Sequence, residues 1–392
     1  MKDALMLDFP VEEYEQRKTR LVREMEKQNM DAVVFTSRDN LRYFSGFQTI
    51  IWMSNIATPG ILIITRDGDM AMVGSKLRLD TIAVSVCVED LRGYDNFTPG
   101  GIGYVEMVYE VLKEKKVHTG TIGLEIGKES RMHLSYENQR KLIGLIGDRN
   151  IVSTDTVVWP VRKIKSRLEI ELLRKISNIN NEAFDIALSA ITPGMSEVDL
   201  YRRFCIDMFT LGADEVMPLG IRAGAERYAQ GNSSPSTRPI GKGEMILVDG
   251  GGLYKGYSTD IIRQAIIGKP TDRQRALYDF SVETCMEGLN AVKAGATAES
   301  VTRRIDAYAR KSRFADCYRT PGWSGHGLGQ HIHEPPIIGL GSTEVLEPGM
   351  FLAIEPDFYE ENVGVFGIEQ NILVTDTGYE LLSTVSHELR VL

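Results

Sequence analysis

Residues 243–267 read GEMILVDGGGLYKGYSTDIIRQAII, and this pattern decides the fold of the second half of the chain. Met245 to Val248 form an apolar run ending in Asp249. Ile261, Ile262, Ala265, Ile266 and Ile267 promise a buried strand that opens just after Asp260. Gly250-Gly251-Gly252 and Lys255-Gly256 provide the turn chemistry between them, so the spacing predicts a hairpin. The pattern then returns. GMFLAIE, from Gly349 to Glu355, repeats Gly243 to Asp249 at an offset of 355 − 249 = 106, and Glu369 lies inside VGVFGIEQNILV. A second pair of segments echoes in the same order. ITPGMSEVDLYRR, with Gly194 and Ser196, returns as VKAGATAESVTRR, with Gly295 and Thr297, at 295 − 194 = 101. Each copy reads as a helix, a glycine turn and a capped second helix, so two similar halves make one domain.

Four carboxylates therefore interrupt strands that otherwise look like core: Asp249, Asp260, Glu355 and Glu369. One such acid at a strand end in solvent would be unremarkable. Four side by side in a low dielectric cannot all stay ionised, because like charges raise each other's pKa. Two divalent cations would balance them, and carboxylates are the natural ligands of hard or borderline metals. Side chains alternate along a strand, so each hairpin can aim both its acids at one point, as a two-metal site requires. Of six histidines, three fall in GHGLGQHIHEPP: His326, His331 and His333. As a strand, this segment would put His331 and His333 on one face, with His326 in the glycine-rich approach. One imidazole suits a metal and another suits charge that develops on a substrate.

Working outward, the first 150 or so residues alternate helical and strand patterns. VEEYEQRKTRLVREMEKQ carries apolar residues at helical spacing. AVVFT at Ala32–Thr36, bounded by Ser37 to Asn40, reads as a buried strand, and GILIIT, Met70 to Val73, TIGLE and IVSTD are further strand candidates. Helical stretches are expected around Val105 to Lys115 and Glu137 to Leu145. Ser166-Arg-Leu-Glu169 has the form of a capping box opening a long helix. The boundary is expected near Trp159-Pro160, which gives an α/β (α+β) chain with domains at 1–158 and 159–392.

Composition bounds the function. With 45 Lys and Arg against 54 Asp and Glu, the net charge is −9, and no basic stripe suits nucleic acid. The longest apolar runs fall far short of the ~20 residues of a membrane span. MKDALMLDFPVEEYEQ lacks the basic start and apolar stretch of a signal peptide. Four cysteines without CxxC spacing suit a reducing cytoplasm. There is no Walker A loop, and Gly322 to His326 fails G-x-S-x-G at its last position.

VDGGGLYKGYSTD, GHGLGQHIHEPP, EPGMFLAIEP and GIEQNILV together resemble the creatinase/prolidase/methionine-aminopeptidase family, metallopeptidase family M24 of pita-bread fold. EYEQRKTRLVREMEKQNMDAVVFTS and NLRYFSGF resemble that family's smaller N-terminal domain. The resemblance implies a pseudo-twofold catalytic domain and a dinuclear site. Asp249 would chelate one ion, Asp260 and Glu369 would bridge both, and His326 and Glu355 would hold the second. It further implies a hydroxide shared by the ions as nucleophile, Glu355 as proton acceptor and His333 as the imidazole that steadies the tetrahedral intermediate. Manganese fits an oxygen-rich site with one imidazole, and cobalt, zinc or iron could occupy it. The implied substrate is a dipeptide or small amide of Xaa-Pro type, and the implied assembly is a homodimer.

The departures matter too. Prolidase-like members carry a histidine before the first metal strand, where GAERYAQGNSSPSTRPIGKGE has none and Asn232 lies near its place. They also carry an arginine just before the last metal glutamate, where Phe366-Gly367-Ile368 stands here. Creatinase's own catalytic acid and second imidazole fall on Ile262 and Gln370, which disfavours that activity. Candidate substrate contacts are Arg222, Tyr228, His331 and Trp52, the last in the aromatic loop FSGFQTIIWMSN that overhangs a partner's site in creatinase-like dimers. Two other readings stand beside the peptidase: a metal enzyme for a non-peptide C–N bond or lyase reaction on a small zwitterion, and a peptide-binding module without catalysis.

Overall fold

The computed structural model describes residues 6–54, 59–96 and 98–392, so the first five residues of MKDALMLDFPVEEYEQ and Asn55 of the aromatic loop lie outside the described residues. The chain divides into two compact units between Arg162 and Lys163. The expected boundary at 158/159 falls inside the helix Asp155–Arg162, which carries Pro160 within it. Among the described residues, no helix is long and apolar enough to cross a membrane.

The first unit is built on a six-stranded mixed sheet. Its strands are β1 (Ala32–Phe35), β2 (Ile61–Thr65), β3 (Met70–Ser75), β4 (Asp90–Tyr94), β5 (Ile122–Leu124) and β6 (Ile151–Ser153), in the order β4-β3-β2-β1-β5-β6. Both faces are covered, which is why AVVF is apolar throughout. Val33 and Phe35 feed one core and Ala32 and Val34 the other, and β2 splits Leu62 and Ile64 from Ile61 and Ile63 in the same way. The expected helices lie at Val11–Lys27, Tyr104–Glu114 and Tyr136–Ile146. Ser37 to Asn40, which bound the strand as expected, also start a helix over Arg38–Ser45, with the Ser37 hydroxyl accepting from the Asn40 N–H. Strand β4 carries no alternating apolar signal because it is an edge strand, half-buried over most of its length.

The second unit repeats itself. Helices Arg167–Ser189 and Glu197–Leu211 precede one set of strands, and Asp272–Leu289 and Ala298–Arg310 precede the other. Capping boxes close the N-termini at Ser166 with Glu169, Ser196 with Asp199 and Thr271 with Gln274; Thr297 caps the fourth helix. Gly194 at φ +88° and Gly295 at φ +83° turn the chain between the helices of each pair, in the left-handed region where a side chain would be strained.

The strands of the first half are β7 (Glu215–Val216), β8 (Gly220–Ala223), β9 (Met245–Gly250), β10 (Gly252–Tyr254), β11 (Tyr257–Ser258) and β12 (Ile261–Ile266). Those of the second are β13 (Trp323–Gly327), β14 (Glu334–Gly339), β15 (Phe351–Ile354), β16 (Asp357–Glu360), β17 (Gly364–Gly367), β18 (Gln370–Val374) and β19 (Tyr379–Leu381). The short β20 (Arg390–Val391) returns to pair with β12. Sheet orders are β20-β12-β9-β8 and β14-β13-β15-β18-β19. In each half two long strands, β9/β12 or β15/β18, are extended by a small hairpin, β10/β11 or β16/β17. Alternation again sorts the side chains. Met245 and Leu247 join the large core that also holds Leu352, Ile354 and Ile372, while Ile246 and Val248 face the first helix pair with Phe184 and Phe204.

Candidate metal centre

Asp249 lies in β9, opposite Gly220 of β8 and Ile262 of β12. Asp260 sits just before β12, two residues from Ile262 and so on its face, and its N–H donates to the Asn371 side-chain oxygen at 3.0 Å. Glu355 follows β15 and Glu369 precedes β18. Continuing the pairing of Ile354 with Gln370 by one step sets these two opposite each other. The two hairpins are therefore not copies in register: the counterpart of Glu369 in the first half is Ile262, and Asp260 stands two positions away. His326 is central to β13, paired with Ala353 and Ile337. Glycines flank it for a steric reason, since a Cβ at Gly325 would meet the Ala353 carbonyl oxygen at 2.0 Å and one at Gly327 the Pro335 carbonyl oxygen at 2.4 Å.

These five side chains converge. Ligand atoms of Asp249, Asp260 and Glu369 lie within 4.8 Å of one another, as do those of His326, Glu355 and Glu369, and those of Asp260, His326 and His333. Both carboxylate oxygens of Glu369, Oδ1 of Asp260 and Nε2 of His326 are enclosed without a hydrogen-bond partner. Nε2 of His326 comes within 3.0 Å of Glu355 Oε1, but that contact lacks hydrogen-bond geometry. On the other side of the ring, Nδ1 faces the Gly327 carbonyl oxygen at 3.0 Å. Donation there leaves Nε2 with its lone pair turned inward, as a metal ligand needs. Burial pushes Asp249, Asp260 and Glu369 well above the usual carboxylate range, and the neighbouring acids push them further. Buried, unpartnered, mutually repelling oxygens beside one free imidazole nitrogen fit divalent cations.

The acids open onto a cavity of about 860 Å³ that Asp249, Asp260, Glu355 and His333 help to line, a size suited to a small ligand. His333 is exposed, with its ring 4.2 Å edge-on from that of His326. Partial desolvation and the His326 ring hold it below the ordinary histidine value. His331 is also exposed, does not line the cavity, and fixes the turn through its backbone: its N–H donates to Glu334 and its carbonyl accepts from Ser258. The two histidines share no strand face, because β13 ends at Gly327 and β14 begins at Glu334.

The four expected substrate contacts fare differently. Arg222 is buried and lines the cavity. Tyr228 is a core residue whose hydroxyl accepts from the Met245 N–H, so it is committed to structure. Trp52 belongs to the first unit, edge-on to Phe47 and His133.

Sequence reasoning missed Asp357 and Arg319, both on the cavity wall. Asp357 is half-buried with Oδ1 enclosed and unpartnered, and burial raises its pKa to about 6. Its position two residues after Glu355 was the available signal, since alternate strand residues share a face. Arg319 is brought there by a distant pairing, its N–H donating to the Asp357 carbonyl oxygen at 2.9 Å.

Comparison with known proteins agrees with this geometry. Residues 171–376, more than half of the chain, match metallopeptidase family M24, and residues 17–164 match the creatinase/prolidase N-terminal domain. An Xaa-Pro dipeptidase of Pyrococcus furiosus is 27% identical over 95% of this chain and 99% of its own length. An uncharacterised peptidase of Bacillus subtilis is 27% identical over 93% and 96%. Among solved structures, an Xaa-Pro dipeptidase from Bacillus anthracis superposes with a TM-score of 0.83 at 25% identity, covering 97% of this chain and all of that one. A pseudo-twofold unit with five convergent candidate ligands, joined to an N-terminal unit of matching type, makes this chain a member of metallopeptidase family M24.

Proposed function

We propose that the chain is a metal-dependent dipeptidase that hydrolyses Xaa-Pro or similar dipeptides with two divalent ions, manganese first among them and cobalt, zinc or iron as alternatives. One observation carries this reading: enclosed, unpartnered oxygens of Asp260 and Glu369 meet His326 Nε2 beside a dipeptide-sized cavity that Asp260 and Glu355 line. Asp249, Asp260 and Glu369 would hold one ion, and His326, Glu355 and Glu369 the other, with Asp260 shared. Bound divalent ions lower the pKa of water and polarise a carbonyl, which brings amide hydrolysis within reach near neutral pH.

The chain's own groups do the rest. Glu355, only partly buried on the cavity wall, accepts the proton that water must lose. His333, kept neutral by its depressed pKa, lines the cavity and donates to the oxygen on which negative charge develops. Cytoplasmic location and assembly as a homodimer belong to the same reading. Sedimentation of the purified protein should show the dimer, and a monomer at all concentrations would remove it.

The experiment is a screen of the metal-loaded protein against Leu-Pro, Met-Pro, longer peptides and small amides. Turnover of the dipeptides is expected; none with any metal would remove the peptidase reading. A second reading, chemistry at a non-peptide C–N bond of a small zwitterion, draws on one feature. Phe366 and Ile368 are buried core residues, so no cation stands in the stretch before Glu369.

A further inference from the structure

Arg222 occupies a special position in the internal repeat. It pairs with Leu247 of β9, while His326 pairs with Ala353 of β15, and 353 − 247 equals 355 − 249, the offset that relates the two halves. Arg222 is therefore the first-half counterpart of the metal-ligating histidine and lies on the same sheet face as Asp249. It is 6% exposed, yet among the described residues no hydrogen bond or ion pair engages its guanidinium. Asp249 and Asp357 both feel its positive charge. Neither approaches to ion-pair distance. A guanidinium cannot shed its proton, so a buried one without a partner needs an anion supplied from elsewhere. The other arginines on the wall do not share this condition: Arg202 is exposed and 3.7 Å from Asp199, and Arg319 is exposed and lies over the Tyr359 ring.

Resting on the dipeptidase reading, we propose that Arg222 anchors the free carboxylate of the substrate's C-terminal residue and so selects dipeptides with an ionised end over longer chains and neutral amides. The cation absent before Glu369 is thereby supplied from the opposite half of the fold. The competing role is pure charge balance, with Arg222 offsetting the surplus acid Asp357. The two roles separate by substrate, because only an anchor distinguishes an acid from its amide.

The test compares Leu-Pro with Leu-prolinamide in the metal-loaded wild type, Arg222→Met and Arg222→Lys. Metal content is measured in each, and L-proline and L-prolinamide are titrated by calorimetry. The wild type should favour the acid by about tenfold or more, the scale of a charge-assisted contact. Arg222→Met should collapse that ratio through KM with metal content retained and abolish L-proline binding, and Arg222→Lys should restore part of both. An unchanged ratio, or lost metal with equal loss on both substrates, overturns the anchor. If the wild type cleaves neither substrate, the dipeptidase reading fails separately, and calorimetry then decides Arg222. Loss of L-proline binding in Arg222→Met supports the anchor, and retained binding overturns it.

Discussion

Each unit of the chain buries a glutamate, and the two are opposite in kind. Glu125, at the end of β5 in the first unit, is 1% exposed; Glu369, in the second, is not exposed at all. Burial pushes both pKa values up. Glu125 then accepts from the Thr36 N–H at 2.6 Å and hydroxyl at 2.8 Å, from the Ser37 N–H at 2.9 Å and its hydroxyl, and from the Asn40 amide at 2.7 Å. Neither carboxylate oxygen of Glu369 accepts a hydrogen bond, and it faces Asp249, Asp260 and Glu355 together with the His326 ring. Burial alone is thus no mark of function. What separates a structural carboxylate from a metal ligand is whether the fold has provided its donors.

The sharpest way to break this contrast is to remove each acid. Glu369→Ala or Asp260→Ala should lose at least one metal and lower kcat by more than about 100-fold, beyond what outer-shell changes typically cost. Metal analysis with single-turnover kinetics checks it, and full activity would sink the bridging role. Glu125→Ala should instead leave metal content and kcat intact while lowering unfolding free energy by about 2–5 kcal/mol, since five donors lose their acceptor. Denaturant titration measures this, and a drop in metal content would erase the distinction.

A smaller effect is expected at Asn371, whose side-chain oxygen accepts from the Asp260 N–H at 3.0 Å and the Thr259 hydroxyl at 2.8 Å. Asn371→Leu should weaken metal binding by about 10–100-fold by freeing the loop that aims Asp260. A competitive chelator titration reads that shift.

The smallest effect is a slope. Acids whose folded pKa is raised bind more protons folded than unfolded, so their contribution to stability becomes less favourable as pH rises. Asp249, Asp260, Asp357 and Glu369 all shift upward, Asp357 to about 6. The metal-free protein should therefore lose stability from about pH 4, where the unfolded acids begin to ionise, through neutrality. Metal should flatten that slope. Glu369→Gln should flatten it in the metal-free protein more than Glu125→Gln does, and equal slopes in thermal scans across pH would contradict the comparison.

Much of this was open to a linear reading, because the signals are local. Short continuous apolar runs marked β1, β9, β12 and β15, a capping box marked the helix that opens after Ser166, and the offset of 106 marked the repeated hairpins. The candidate metal ligands stood out as polar interruptions of apolar strands. What lay beyond that reading depends on pairing between distant segments. That Arg222 stands where His326 stands in the other half follows from the register of β8 on β9. That Tyr228 is spent on the Met245 backbone, that His331 faces solvent, and that Glu125 is satisfied follow from contacts many residues apart. Residue type and periodicity constrain a segment through its own backbone geometry. Whether a buried polar group has a partner is settled only when separate segments come together, and in this protein that is what distinguishes a candidate ligand from a brace.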